Sequence, residues 1–189
     1  MPQPRMLVMP IAEYESNNAV SAKGKRVIVE MISSQSDMTG VGFFNVRTSE
    51  QCEAALKGAP EVENNSFSLV SEGDLFIEGT RLNLSYEESA VEGVEGCSTV
   101  ISFDLSDPEC VTIERRGPLS SVFVISKGER LFSTYSTPFG MLDMCVFGKK
   151  VENFLTEDGG SLVMDYGVEL KGLTAQRTRM EVKVKCLSQ

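Results

Sequence analysis

The chain has 189 residues, with 18 Lys and Arg against 27 Asp and Glu, a net charge of −9, five Cys, and neither His nor Trp. That length suits one domain burying roughly 70% of its unfolded surface, and the missing His removes the commonest general base, the Ser–His and Cys–His nucleophile pairs, and the usual zinc and haem ligands. The acidic excess repels phosphate backbones and anionic bilayers, so neither nucleic acid nor membrane is an expected partner.

Residues 1–22 contain three Pro and the polar run Glu13 to Asn18, which reads as a loosely attached arm. Its apolar stretch, Met6 to Ile11, is short for a signal peptide and is broken by Pro10. From Arg26 the pattern changes: Val27, Val29 and Met31 alternate with Ile28, Glu30 and Ile32, which predicts a strand. Residues 36–65 interrupt the β pattern. Within them Thr48 to Gln51 has capping-box spacing, and Cys52 to Lys57 carries good helix formers before Gly58 and Pro60. One short helix is expected there, in an insertion of about 39–64, plugging one end of the fold or covering an edge strand.

After Asn65 strands and turns follow closely. Phe67 to Ile77 is one long strand or two broken at Gly73; Leu82, Leu84 and Tyr86 alternate with polar residues; Thr99 to Leu105 follows, and Asp107-Pro108 turns the chain into Val111 to Arg115. Val122 to Ile125 leads through Lys127-Gly128 to Leu131 to Tyr135. Met141 to Phe147 and Val151 to Leu155 precede the hairpin signal Asp158-Gly159-Gly160. Leu162 to Leu170 and Met180 to Cys186 then alternate strictly. Roughly ten short strands joined by tight turns predict an all-β antiparallel up-and-down barrel of about 8–10 strands over residues 23–189, because closure removes both edges. Period alone leaves a sandwich open.

An odd number of Cys with no C-x-x-C spacing argues against a zinc site, a redox motif and a disulfide framework. Reduced Cys acting as small buried hydrophobes, and no run of roughly 18–20 apolar residues, fit a cytoplasmic protein without a metal or cofactor.

Several stretches also resemble the YwiB-like family of bacterial domains of unknown function. They are Ser71-Glu72-Gly73, Leu84-Ser85-Tyr86-Glu87-Glu88, Arg115-Arg116-Gly117, Lys127-Gly128-Glu129-Arg130, Tyr135 to Gly140, and Gly159-Gly160 ahead of Tyr166. The resemblance spans about Arg26 to Lys185 and implies a small calycin-like barrel, related in shape to the lipocalins. It implies no activity. The helix-bearing insertion and the long N-terminal arm depart from the family pattern.

Strand parity supplies the candidate site. Leu82, Leu84, Tyr86 and Glu88 share a face, as do Val111, Ile113 and Arg115; since the aliphatic residues face the core, Glu88 and Arg115 point inward. Two such charges need each other, because an unpaired buried charge costs several kcal/mol, on the order of a whole domain's margin of stability. Glu88 and Arg115 are therefore expected to pair, with Tyr86, Thr99 and Tyr135 supplying hydroxyls. One reading is a polar foot that orients the head of a small apolar or amphipathic ligand, with Arg115 as clamp for an anionic one. The other is a structural ion pair that fixes register. Glu87 and Glu88 face opposite ways on a strand and cannot flank one glycosidic bond.

Met141, Met144 and Met164 either border a cavity or simply pack the core. Met141 to Phe147 is apolar on both faces, which suggests a cover from the arm, the helix or a second chain, and hence a homodimer. Three functional readings stay open: a ligand-binding barrel, a solid-cored interaction protein, and an enzyme using carboxylate, Tyr or Arg chemistry. No nucleophile–base pair can be assembled for the third, so it ranks last.

Overall fold

The computed structural model describes residues 24–37, 64–88, 96–117, 120–137, 140–170 and 174–187. Across them run β1 (Lys25–Asp37), β2 (Asn64–Glu78), β3 (Arg81–Glu87), β4 (Ser98–Asp104), β5 (Asp107–Arg116), β6 (Ser120–Ser126), β7 (Arg130–Thr137), β8 (Gly140–Asn153), β9 (Gly159–Leu170) and β10 (Thr174–Cys186). Each pairs antiparallel with its neighbours in sequence, and β1 pairs with β10, so the meander closes into a barrel. The sandwich is thereby excluded. The arm over residues 1–22 and the predicted helix lie outside the described residues.

The period-2 pattern does what it predicts. On β3 the buried residues are Leu82, Leu84 and Tyr86, and on β1 they are Val27, Val29, Met31 and Ser33. Inward residues of every strand except β7 merge into one apolar core that includes Phe103, Val111, Ile125, Leu162, Met164 and Val182. Met144 and Met164 belong to this packed core. Full burial of each large aliphatic side chain contributes about 1.5–3 kcal/mol, so the shared core is the main source of stability.

One open alternative is settled, and two strand boundaries differ from the pattern. β2 runs unbroken through Gly73, because a Cβ there would lie 2.5 Å from the Ser85 carbonyl oxygen; the missing side chain lets β3 come close and seats the Tyr86 ring. Met141–Phe147 and Val151–Leu155 are one strand, β8, up to Asn153, whose register with β9 shifts between Gly148 and Lys150. That bulge inserts a residue, breaks the alternation and so splits the sequence signal. Finally, the β4–β5 turn falls at Leu105-Ser106 and Pro108 lies inside β5. The turn is set by Asp104, whose carboxylate accepts hydrogen bonds from the Ser106 N–H, the Ser106 hydroxyl and the Thr80 hydroxyl at 2.8, 2.5 and 2.5 Å. These bonds hold its pKa down to about 2.

One wall is thinly joined. β6 and β7 stand in register only at Ser120↔Ser136 and Ser121↔Tyr135, whereas β1 and β10 match over eleven positions from Val27 to Asp37. Where β6 ends, its turn packs on β8 instead: Gly128 N–H donates to the Gly148 carbonyl at 2.7 Å, and Gly148 N–H to the Glu129 carbonyl at 3.1 Å.

The outer faces carry ion pairs. Arg177–Asp165, Arg179–Glu181 and Lys185–Glu30 lie at 2.5, 2.8 and 2.7 Å, so this basic cluster is matched by carboxylates. Cys145, on the outer face of β8, is buried. Its neighbours there include the paired Arg130 and Glu169, and burial pushes its thiol pKa up. Among the described residues no helix is long and apolar enough to cross a membrane.

Candidate functional site

An antiparallel meander sends the odd-numbered strands to finish at one end and to start at the other. Where they start, the barrel is closed by short turns such as Gly79-Thr80 and Leu105-Ser106, and the interior is apolar. Where they finish, polar inward side chains appear among apolar ones such as Phe67 and Val168: Ser33 on β1, Tyr86 and Glu88 on β3 and just beyond it, Thr99 on β4, Arg115 on β5, Ser121 on β6, Tyr166 on β9 and Thr178 on β10.

Glu88 keeps the parity of β3 because the ladder continues past the strand, its N–H donating to the Cys97 carbonyl at 2.9 Å. The side chain is 3% exposed. Arg115 Nε donates to Glu88 Oε2 at 2.8 Å and Arg115 Nη2 to Glu88 Oε1 at 3.1 Å, a two-point fork. Thr99 Oγ1 donates to Glu88 Oε1 at 2.7 Å. The fork follows from register, since Tyr86 faces Thr99 and Thr99 faces Arg115 on successive strands. Arg115 is 27% exposed, so the carboxylate lies deep and the guanidinium lies nearer solvent.

Two phenols border the pair. Tyr86 is 3% exposed, and its hydroxyl lies 3.5 Å from Met31 Sδ on β1, two strands away. Burial pushes its pKa well above the ordinary value; the Glu88 charge adds to the rise and the Arg115 charge opposes it. Tyr166, also buried, is pushed up to about 12 by burial, against a hydrogen bond with Thr178 and the Arg115 charge. Both phenols stay neutral donors at any physiological pH.

Of the residues predicted for the site, Tyr86, Glu88, Thr99 and Arg115 come together. Tyr135 faces Ser121 through its backbone, and its side chain lies outside the described residues. The expected clamp is altered in one respect: the Nε–Nη2 edge of Arg115 that would take a ligand carboxylate is on Glu88. Sequence reasoning missed Tyr166, Thr178, Ser33 and Ser121. Each was within reach of the same parity rule, Tyr166 lining up with Leu162 and Met164, and Ser33 with Val29 and Met31. Among the described residues no three His, Cys, Asp or Glu side chains gather as a metal site.

A closed ten-stranded antiparallel meander around an apolar core, with the only inward charges among the described residues paired at one end, defines an up-and-down β-barrel. The chain belongs to the DUF1934 family, a domain of unknown function, whose model matches residues 56–182. The crystal structure of the ywiB protein from Bacillus subtilis has the same fold, with a TM-score of 0.61 and 12% identity over 85% of this chain and 92% of that one. The YwiB-like resemblance read from the motifs is thus shown. No curated protein matches.

Proposed function

We propose that the barrel binds a small amphipathic molecule, its apolar part among the inner aliphatic side chains and its polar head at the Glu88–Arg115 end. The observation that carries this is the asymmetry of the pair, a carboxylate 3% exposed beneath a guanidinium 27% exposed. An apolar pair of similar volume would stabilise the barrel as well or better, so stability alone gives little reason to keep the charges. A guanidinium that reaches solvent past a buried carboxylate is a group that a ligand head can meet. Among the described residues Cys110, Cys145 and Cys186 form no disulfide, which supports the reducing, cytoplasmic setting expected from the sequence.

The test is native mass spectrometry of protein purified from its own host, together with titration by the neutral fluorophore N-phenyl-1-naphthylamine. An adduct of a few hundred daltons, or a saturable one-site fluorescence rise, is expected. A bare mass with no saturable rise would overturn the proposal and select the solid-cored interaction role.

A further inference from the structure

The wall between β6 and β7 is fastened at two places and split between them. Toward the polar end the strands pair at Ser120↔Ser136 and Ser121↔Tyr135. At the other end their turn is tied to β8, where Gly128 N–H donates to the Gly148 carbonyl at 2.7 Å and Gly148 N–H to the Glu129 carbonyl at 3.1 Å. Continued, the register would set Val124 opposite Phe132, but among the described residues no pairing joins the two strands there. Lys127 N–H is spent on the Glu109 carbonyl of β5, and the Glu129 carbonyl on β8. By alternation the N–H and C=O groups of Val124 and Phe132 are the ones that face the split. From Val122 to Ser126 it runs roughly 13 Å, at about 3.3 Å per residue.

Burial along β6 shows that this slot passes through the wall. Ser121, Phe123 and Ile125 share the inner face, across the ladder from Arg115, Ile113 and Val111. Ser121 and Ile125 are 4% and 0% exposed, yet Phe123 between them, packed against the core, is only half-buried. Solvent arriving from either end of the barrel would meet Ser121 or Ile125 first, so it reaches Phe123 from the side. Leu131 of β7, paired with the buried Val146, is half-buried as well. Outside the slot Val122 and Phe132 are 42% and 64% exposed. Apolar side chains thus line the way from the outer surface to the core. Parting two fully paired strands would break a run of ladder hydrogen bonds, whereas here the ladder is already interrupted and local opening costs least.

Building on the ligand-binding reading above, we infer that the β6–β7 slot is the side entrance of the barrel, through which an uncharged apolar group, a flat ring or an alkyl chain, passes into the core. Phe132 is the surface on which that group lands, and Leu131 sets the width of the passage.

An entrance is touched in passing and left empty afterwards, so altering it changes the association and dissociation rates by one factor and leaves Kd alone. Stopped-flow mixing of the full chain with N-phenyl-1-naphthylamine, followed by dilution of the complex, gives both rates. Phe132→Asp, which replaces the apolar landing surface with a charge, should slow both by about fivefold or more, and Leu131→Ala should speed both, with Kd within about twofold of native in each. Val70→Asp, which charges a 67% exposed apolar residue on β2 instead, should leave both rates as they are. Native rates in Phe132→Asp and Leu131→Ala would overturn the inference. So would a change in Kd carried by dissociation alone, which would make these residues binding contacts. Hydrogen exchange followed by NMR reads the slot in the native protein without any substitution. The amides of Val124 and Phe132 should exchange about a hundredfold faster, or more, than those of Ile101 and Ile113 in the paired ladders, and equal protection would also overturn the inference. Native protein that gives no saturable fluorescence rise would overturn the ligand-binding reading instead.

Discussion

Replacing Arg115 with Met removes the cation and leaves Glu88, 3% exposed, with Thr99 as its remaining side-chain partner among the described residues. Breaking a buried pair from one side costs about 3–5 kcal/mol. Because 27% of Arg115 reaches solvent, screening places the loss at the lower end, about 3 kcal/mol. For a chain of this size each kcal/mol lowers Tm by about 2–4 °C, so the variant should melt roughly 6–12 °C early. Glu88→Leu is milder, about 1 kcal/mol, because the flexible guanidinium can turn toward water. The double variant Arg115→Met/Glu88→Leu removes both charges and should return to within about 1 kcal/mol of the native protein. In the absence of Trp, urea melts followed by far-UV circular dichroism supply the double-mutant cycle. A coupling below about 0.5 kcal/mol, within the ordinary error of additivity, would refute the buried-pair argument.

Two further outcomes follow from the geometry. Of the four tyrosines, Tyr86 and Tyr166 have folded pKa values raised above the unfolded value near 10, so their contribution is intact below pH 10 and is lost as pH climbs toward 12 and beyond. Phenolate absorbance should show at least two late tyrosines together with alkaline unfolding, and four equivalent tyrosines titrating near pH 10 would contradict the burial. Gly148→Ala would place a Cβ 2.2 Å from the Ser126 carbonyl oxygen and 2.8 Å from its carbon, both backbone atoms. The β6–β7 turn must then move off β8, at a cost of about 2 kcal/mol or more. A Tm within about 1 °C of native would show that this contact is absent in solution.

How far the sequence reveals the site depends on where alternation is undisturbed. From Leu82 to Glu88 and from Val111 to Arg115 no bulge intervenes, so aliphatic positions on each strand fix the direction of a charge four residues along, and the Glu88–Arg115 fork follows from counting. The register shift between Phe103 and Asp104 lies beyond Thr99 and leaves that residue's direction intact. At Gly148–Lys150 the bulge reverses the parity within one strand, and β8 reads as two. Ser33, Ser121 and Thr178 obey the rule equally well but give no signal, because a small hydroxyl residue is as common outside a strand as inside it. They stand out only when their side chains are found buried, two of them without a hydrogen-bond partner among the described residues.

The border between the two halves of the barrel runs through Tyr86. Its ring belongs to the apolar core, yet it stands next to Glu88 and Thr99 in the polar layer. The position is possible because Gly73, facing it on β2, has no Cβ; one built there would come within 3.3 Å of the Tyr86 Cβ and 3.2 Å of Val29. One glycine thus sets how deep the polar layer begins, and the aliphatic half below it, sealed by short turns, carries the stability. Polar side chains at the finishing ends of the odd strands then cost little, because they displace few core contacts while still being aimed by rigid strands instead of loops. Such an arrangement allows the polar layer to vary without remaking the core, provided Gly73, Tyr86 and the fork are kept together.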